Sequence, residues 1–120
     1  MHLLTQLLIG IIAFFHIYIL WFEMFAWEKH GPKVFRKVPK DLFPKTKAMA
    51  ANQGLYNGFL AAGLIWSLLI QDASWSNNVA LFFLSCGAIA GLYGAYSVDR
   101  KILYIQTIPS AIAIVFLLLG

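Results

Sequence analysis

Residues 16–24 have the sequence HIYILWFEM, and they lie inside an apolar segment that begins at Leu3. His16 and Glu23 are seven residues apart, so their side chains lie on one face of a helix. An ionisable side chain in an apolar helix is costly unless it is paired or faces the interior of a helix bundle. The segment therefore predicts a membrane-spanning helix with a polar stripe that faces other helices.

The composition of the whole chain also favours a membrane environment. Of its 120 residues, 61% are hydrophobic and only 12% are charged, whereas soluble domains carry about 25% charged residues. In water, a core built from this composition would leave large apolar patches exposed. The start of the chain, MHLLTQLL, has no Lys or Arg ahead of the apolar run. The first segment is therefore predicted to be a retained helix, not a cleaved signal peptide.

Three further segments resemble the first in length and apolar character, and a membrane helix needs about 20 such residues. Short connections make consecutive helices antiparallel neighbours. The sequence thus predicts one all-α domain over residues 1–120, an integral membrane up-down four-helix bundle with a long basic cytoplasmic loop between its first two helices. The predicted spans are 3–27, 48–70, 77–97 and 102–119. Pro109 is expected to distort the fourth helix near Ile105.

Charge is distributed very unevenly between the two ends of this bundle. All nine Lys and Arg residues lie in the first and third connections, and Asp72 is the only charged side chain at the other end. Short loops rich in Lys and Arg stay cytoplasmic, so both termini are predicted to lie on the outer side of the membrane. The expected partners are membrane lipids, whose anionic head groups attract a basic loop. No nucleic-acid partner is expected.

Polar side chains from every predicted helix fall in the third of the bundle nearest the basic loop. One hypothesis is that they line a single cavity that is open toward the cytoplasm. The candidate ligand-binding residues are His16, Glu23, Asn52, Gln53, Tyr56, Asn57, Tyr93, Tyr96, Arg100 and Gln106. The alternative is a set of separate interhelical hydrogen bonds, each contributing on the order of 1 kcal/mol. Residues at one depth need not converge, because depth does not set rotation about the helix axis.

Small residues recur every four positions in two of the predicted helices. The two rows are Gly54, Gly58 and Ala62, and Gly87, Gly91 and Ala95. Such rows let helix backbones approach closely, either within the bundle or between protomers of an expected homo-oligomer. The three histidines are spread from one side of the predicted membrane to the other, so no metal site is predicted.

The segments HIYILWFEMFAW and ANQGLYNGFLAAGLIW resemble a family of small bacterial membrane proteins, domain of unknown function 1304, over nearly the whole chain. This resemblance implies a four-helix membrane architecture and a multi-pass location in the bacterial cytoplasmic (inner) membrane. It implies no particular activity.

The layout is also similar to that of the membrane-associated eicosanoid and glutathione metabolism enzymes, trimeric four-helix proteins with a long loop after the first helix. The residues that stand roughly in the places of that family's motifs are Lys47, Asn52, Tyr56, Tyr93, Tyr96 and Arg100. The similarity implies glutathione as a cosubstrate. The chain departs from the pattern at Leu55, which occupies the position of that family's acidic residue.

Together these patterns favour a protein that binds a lipid or an amphipathic small molecule in the cytoplasmic third of the bundle, and they leave catalysis undecided. One alternative, implied by the second resemblance, is a glutathione-dependent or lipid-modifying transferase. In it, Arg100, Lys47 and Asn52 hold an anionic cosubstrate and Tyr93 or Tyr96 polarises its thiol. Another alternative is a proton-coupled exporter similar to the small multidrug resistance proteins, which also carry a glutamate in the first of four helices.

Overall fold

A computed structural model describes residues 1–120, and its regular structure is helical throughout, without strands. The prediction of an all-α fold is confirmed. The helices are α1 (Leu3–Phe25), α2 (Trp27–Val34), α3 (Leu42–Lys45), α4 (Lys47–Leu69), α5 (Ala73–Ser97) and α6 (Ile108–Leu119), with a π-helical turn (Leu103–Thr107) directly before α6. The chain thus forms six helices where four were predicted, because two short helices occupy the basic segment between the first two long ones.

The basic segment is folded against the end of the bundle. The first predicted span extended to residue 27, but α1 ends at Phe25 and α2 starts again at Trp27. The indole Nε1 of Trp27 donates a hydrogen bond to Thr46 Oγ1 at 3.0 Å, and its ring centroid lies 5.0 Å from that of Phe43. Phe43 is only 1% exposed. These contacts hold α2 and α3 beside the start of α4.

Glycines set the close approach of the long helices. A Cβ atom on Gly54 would lie 3.1 Å from the Leu20 carbonyl oxygen of α1, and one on Gly91 would lie 2.8 Å from the Thr107 amide nitrogen of the π-helical turn. Both rows of small residues therefore provide close packing between helices of the same chain. The first row does not continue to Ala62, which is exposed.

The apolar core fills the half of the bundle that contains the two chain termini. A Cβ atom on Gly120 would lie 3.2 Å from His2 Nε2, so the termini are adjacent. The core residues are Ile9, Ile12, Ala13, Leu64, Ala80, Leu84, Ala113 and Leu117. We call this half the terminal end.

The two basic connections lie together at the opposite end, which we call the basic end. Lys101, between α5 and the π-helical turn, donates from Nζ to the carbonyl oxygen of Val34 in α2 at 2.7 Å. Asp72 lies in the α4–α5 connection, at the terminal end, where it accepts a hydrogen bond from the Trp75 amide at 3.0 Å. The structure therefore keeps the separation of charge that the sequence indicates.

Two helices, α1 and α5, are long and apolar enough to cross a membrane by length and composition. The basic half of α4 is more polar, since it includes Lys47, Asn52, Gln53 and Asn57. The fourth predicted span is divided by the π-helical turn, which leaves α6 with 12 residues. The finding for α1 and α5 is consistent with membrane association.

Candidate functional site

Four of the predicted site residues form one hydrogen-bonded chain, which we call the polar network: His16, Glu23, Asn57 and Gln106. Asn57 Nδ2 donates to Glu23 Oε1 at 2.8 Å. Gln106 Nε2 lies 3.2 Å from Asn57 Oδ1 and 3.3 Å from His16 Nε2. His16, Asn57 and Gln106 are buried, while Glu23 is half-buried. The network thus connects α1, α4 and the π-helical turn in the basic half of the bundle.

The π-helical turn brings Gln106 into the network. Pro109 has no N–H, so an α-helix through this point would leave the carbonyl of Ile105 without its usual donor. The chain takes a wider turn over Leu103–Thr107 just before the proline. Gln106 and Thr107, although adjacent in sequence, are both buried, and Thr107 Oγ1 donates to the Ala88 carbonyl at 2.9 Å. The expected distortion near Ile105 therefore takes the form of a π-helical turn.

A cavity of about 880 Å³ adjoins the polar network. It lies between α1, α4, α5 and the π-helical turn, each of which contributes lining residues. Backbone contacts pair α1 with α6 and the π-helical turn with α5. Of the 22 residues that line the cavity, 16 are hydrophobic, and Glu23, Gln53, Asn57 and Gln106 supply polar groups. No Lys or Arg is among the lining residues. The site is an apolar cavity with one polar wall.

The other predicted site residues fall into two groups. Gln53 and Tyr56 line the cavity beside the network. Four others are exposed and lie outside the cavity lining: Asn52, Tyr93, Tyr96 and Arg100. Tyr96 is 89% exposed. Lys47, which the resemblance to the glutathione enzymes also implied, forms a surface ion pair with Glu28 at 3.3 Å.

Apolar residues that the sequence analysis did not single out form most of the cavity wall. Cys86, Ala90 and Gly94 line it from α5, and Val34 and Phe35 line it from the basic segment. Their spacing carried a signal, because Cys86, Ala90 and Gly94 recur every four residues and so share one face of a helix. Small side chains on such a face leave room between helices as readily as they allow close packing.

Fold and site together define an all-helical protein with an apolar cavity and a hydrogen-bonded network of two amides, a histidine and a carboxyl group. The chain belongs to the family described as "Protein of unknown function (DUF1304)", whose model matches residues 10–118. It is 29% identical over 108 residues to the "Uncharacterized protein YpaA" of Lactococcus lactis subsp. lactis (strain IL1403), an alignment that covers 88% of this chain and 89% of that protein. No solved structure matches the chain. The family predicted from the two sequence segments is confirmed.

Proposed function

We propose that this protein is a multi-pass protein of the bacterial cytoplasmic membrane that binds a lipid or another amphipathic small molecule in the cavity beside the polar network. The observation that carries the proposal is the cavity itself, which is mostly apolar and has a polar wall provided by Glu23, Asn57 and Gln106. Small-molecule sites typically have volumes of roughly 300–1,000 Å³, apolar walls and a few placed polar groups.

Burial supports the membrane part of the proposal. Only 27 of the 120 residues are buried, although 61% of the chain is hydrophobic. Large apolar side chains on all four long helical segments face outward, for example Phe14 at 65%, Trp66 at 56%, Phe82 at 62% and Leu118 at 68% exposure. In water, a protein with such an apolar surface would self-associate or aggregate, whereas lipid tails would solvate that surface.

Helix length supports a membrane-spanning arrangement, and the distribution of charge supports its orientation. A helix of 23 residues, such as α1 or α4, is about 35 Å long at 1.5 Å per residue, enough for a hydrocarbon core of about 30 Å. The basic end of the bundle carries all nine Lys and Arg residues, which favours its retention in the cytoplasm. Both termini then lie on the outer side, and the cavity is in the cytoplasmic half.

The test is native mass spectrometry of the protein purified in mild detergent, with organic extraction of any bound molecule. Ala90 lines the cavity, so Ala90→Phe places a ring in it. Ala111→Phe on α6 is the matched control, because Ala111 is also exposed and lies outside the cavity lining. We expect a copurified molecule in the wild type and in Ala111→Phe, and its loss from Ala90→Phe.

An empty wild-type protein, or a molecule retained equally by both variants, would contradict the proposal. The same spectra give the oligomeric state, and a homo-oligomer remains part of the proposal. Because the rows at Gly54 and Gly91 are occupied by α1 and the π-helical turn, self-association would use other helix faces.

A further inference from the structure

The directions of the hydrogen bonds in the polar network follow from two backbone carbonyls. Asn57 Nδ2 lies 3.1 Å from the Gln53 carbonyl oxygen, and His16 Nδ1 lies 2.9 Å from the Ile12 carbonyl oxygen. A carbonyl oxygen only accepts, so Asn57 must turn its amide nitrogen toward Gln53, and His16 must carry a proton on Nδ1. Each end of the network is therefore oriented by the main chain.

Those two assignments determine the others. With its nitrogen turned toward Gln53 and Glu23, Asn57 presents its oxygen to Gln106, so Gln106 must donate there. A neutral histidine with a proton on Nδ1 accepts at Nε2, which gives Gln106 its second acceptor at 3.3 Å. Both N–H groups of Gln106 and both of Asn57 are then used within the protein.

With the Glu23 carboxyl group ionised, the network presents only acceptors to a ligand. Gln106 Oε1 and Glu23 Oε2 accept no hydrogen bond from the protein. Neither is among the fully buried polar atoms without a partner, which are Asn77 Oδ1 and Ser110 Oγ, and both residues line the cavity. The tyrosines and Gln53, which also line the cavity, can donate or accept, so they do not select a head group. No Lys or Arg lines the cavity to balance an anion.

We propose that the ligand is a cationic amphiphile, with a protonated amine that donates to Glu23 and Gln106 and an apolar body in the rest of the cavity. This inference rests on the proposed function and deepens it. An ammonium group has several N–H donors and no acceptor, which complements a carboxyl group and an amide oxygen. Charge-assisted hydrogen bonds of this kind are stronger than neutral ones. Anionic ligands, such as a fatty acid or glutathione, would meet acceptors and a carboxyl group with no Lys or Arg to balance their charge.

The test compares decylamine, decanol and decanoic acid, which share one chain length and differ in head group. Equilibrium dialysis is carried out with the protein in phosphatidylcholine nanodiscs, and empty nanodiscs give the partition background. We expect the wild type to bind decylamine at least about tenfold more tightly than decanoate, a ratio that corresponds to about 1.4 kcal/mol. Glu23→Gln should remove most of that preference, and Asn52→Ala, whose side chain lies outside the cavity, should keep it.

Decanoate binding as tightly as decylamine would overturn the assignment of the head group. If all three probes then bound to the wild type and none to Ala90→Phe, the cavity would still be a binding site and only the amine specificity would fail. Binding of no probe above the empty nanodiscs would overturn both proposals. A preference for decylamine that survives in Glu23→Gln would show that the carboxyl group is not its source and would also overturn the inference.

Discussion

At the scale of single residues, Asn57 is the centre of the polar network. It donates to Glu23 and to the Gln53 carbonyl, and it accepts from Gln106. Removing a partner from a buried hydrogen bond leaves the other group unsatisfied, at a cost of about 1–3 kcal/mol. Asn57 is only 8% exposed.

Asn57→Ala is therefore expected to destabilise the protein by about 1–3 kcal/mol, because it leaves a carboxyl oxygen and an amide of Gln106 without partners. Asn52→Ala is the matched control on the same helix. Asn52 is exposed and makes no hydrogen bond with the network, so its replacement should change stability by less than about 0.5 kcal/mol. Thermal unfolding in detergent, followed by size-exclusion chromatography, measures both. If Asn57→Ala destabilised the protein no more than Asn52→Ala, the hydrogen bonds of Asn57 would not contribute to its stability.

The sequence placed His16, Glu23, Asn57 and Gln106 at one depth, but it did not choose between Asn57 and Asn52. Helical rotation could have done so. At 3.6 residues per turn, Asn57 lies about 60° from Gly54 around α4, whereas Asn52 lies about 160° away. Gly54 faces α1, so only Asn57 can reach Glu23. The position of Gly54 therefore indicates which asparagine faces α1, but only once α1 is known to be the helix that packs on Gly54.

At the scale of elements, the π-helical turn matters most. Its position follows from Pro109, and a distortion there was predictable from the missing N–H. The type of distortion was not, because kinks, bulges and 3₁₀ turns all relieve the same steric conflict. The π-helical turn is the arrangement that buries both Gln106 and Thr107. The short helices α2 and α3 were likewise not predicted. Their placement depends on a contact between Trp27 and Phe43, which are far apart in the sequence.

Close packing between elements can be tested at glycines. Gly54→Ala should destabilise the protein, because its Cβ would lie 3.0 Å from Glu23 Cβ and 3.1 Å from the Leu20 carbonyl oxygen. Neither atom can move without shifting α1, and overpacking of this kind typically costs about 1–3 kcal/mol. Gly91→Ala should behave similarly against the Thr107 amide nitrogen. The readout is again the unfolding temperature in detergent.

Gly10→Ala is the control for both, because nothing lies within 4 Å of a Cβ at that position. Alanine is favoured over glycine in helices by up to about 1 kcal/mol, so this variant should be as stable as the wild type or more so. If Gly54→Ala and Gly91→Ala also kept wild-type stability, the packing of α4 on α1 and of α5 on the π-helical turn would be looser than the structure shows.

At the scale of the whole molecule, the two halves of the bundle differ in construction. The terminal end is filled by eight buried apolar residues that pack against one another. In the basic end the helices separate around the cavity and are bridged by polar side chains. Single-sequence reasoning predicted this asymmetry because every predicted helix contributes polar side chains to the third of the bundle nearest the basic loop. It could not predict the cavity volume, which depends on the distances between the helices that line the cavity.

The orientation of the molecule in a membrane provides the last prediction. In a Cys86→Ala background, which removes the only native thiol, one new cysteine is placed at each end: Gln71→Cys in the α4–α5 connection or Lys37→Cys in the basic segment. Both positions are exposed. Because Lys and Arg favour cytoplasmic retention, a membrane-impermeant maleimide added to bacterial spheroplasts should label Gln71→Cys and leave Lys37→Cys unlabelled until the cells are opened. The reverse pattern would place the basic end outside, and labelling of neither cysteine before lysis would mean that the α4–α5 connection does not reach the outer surface.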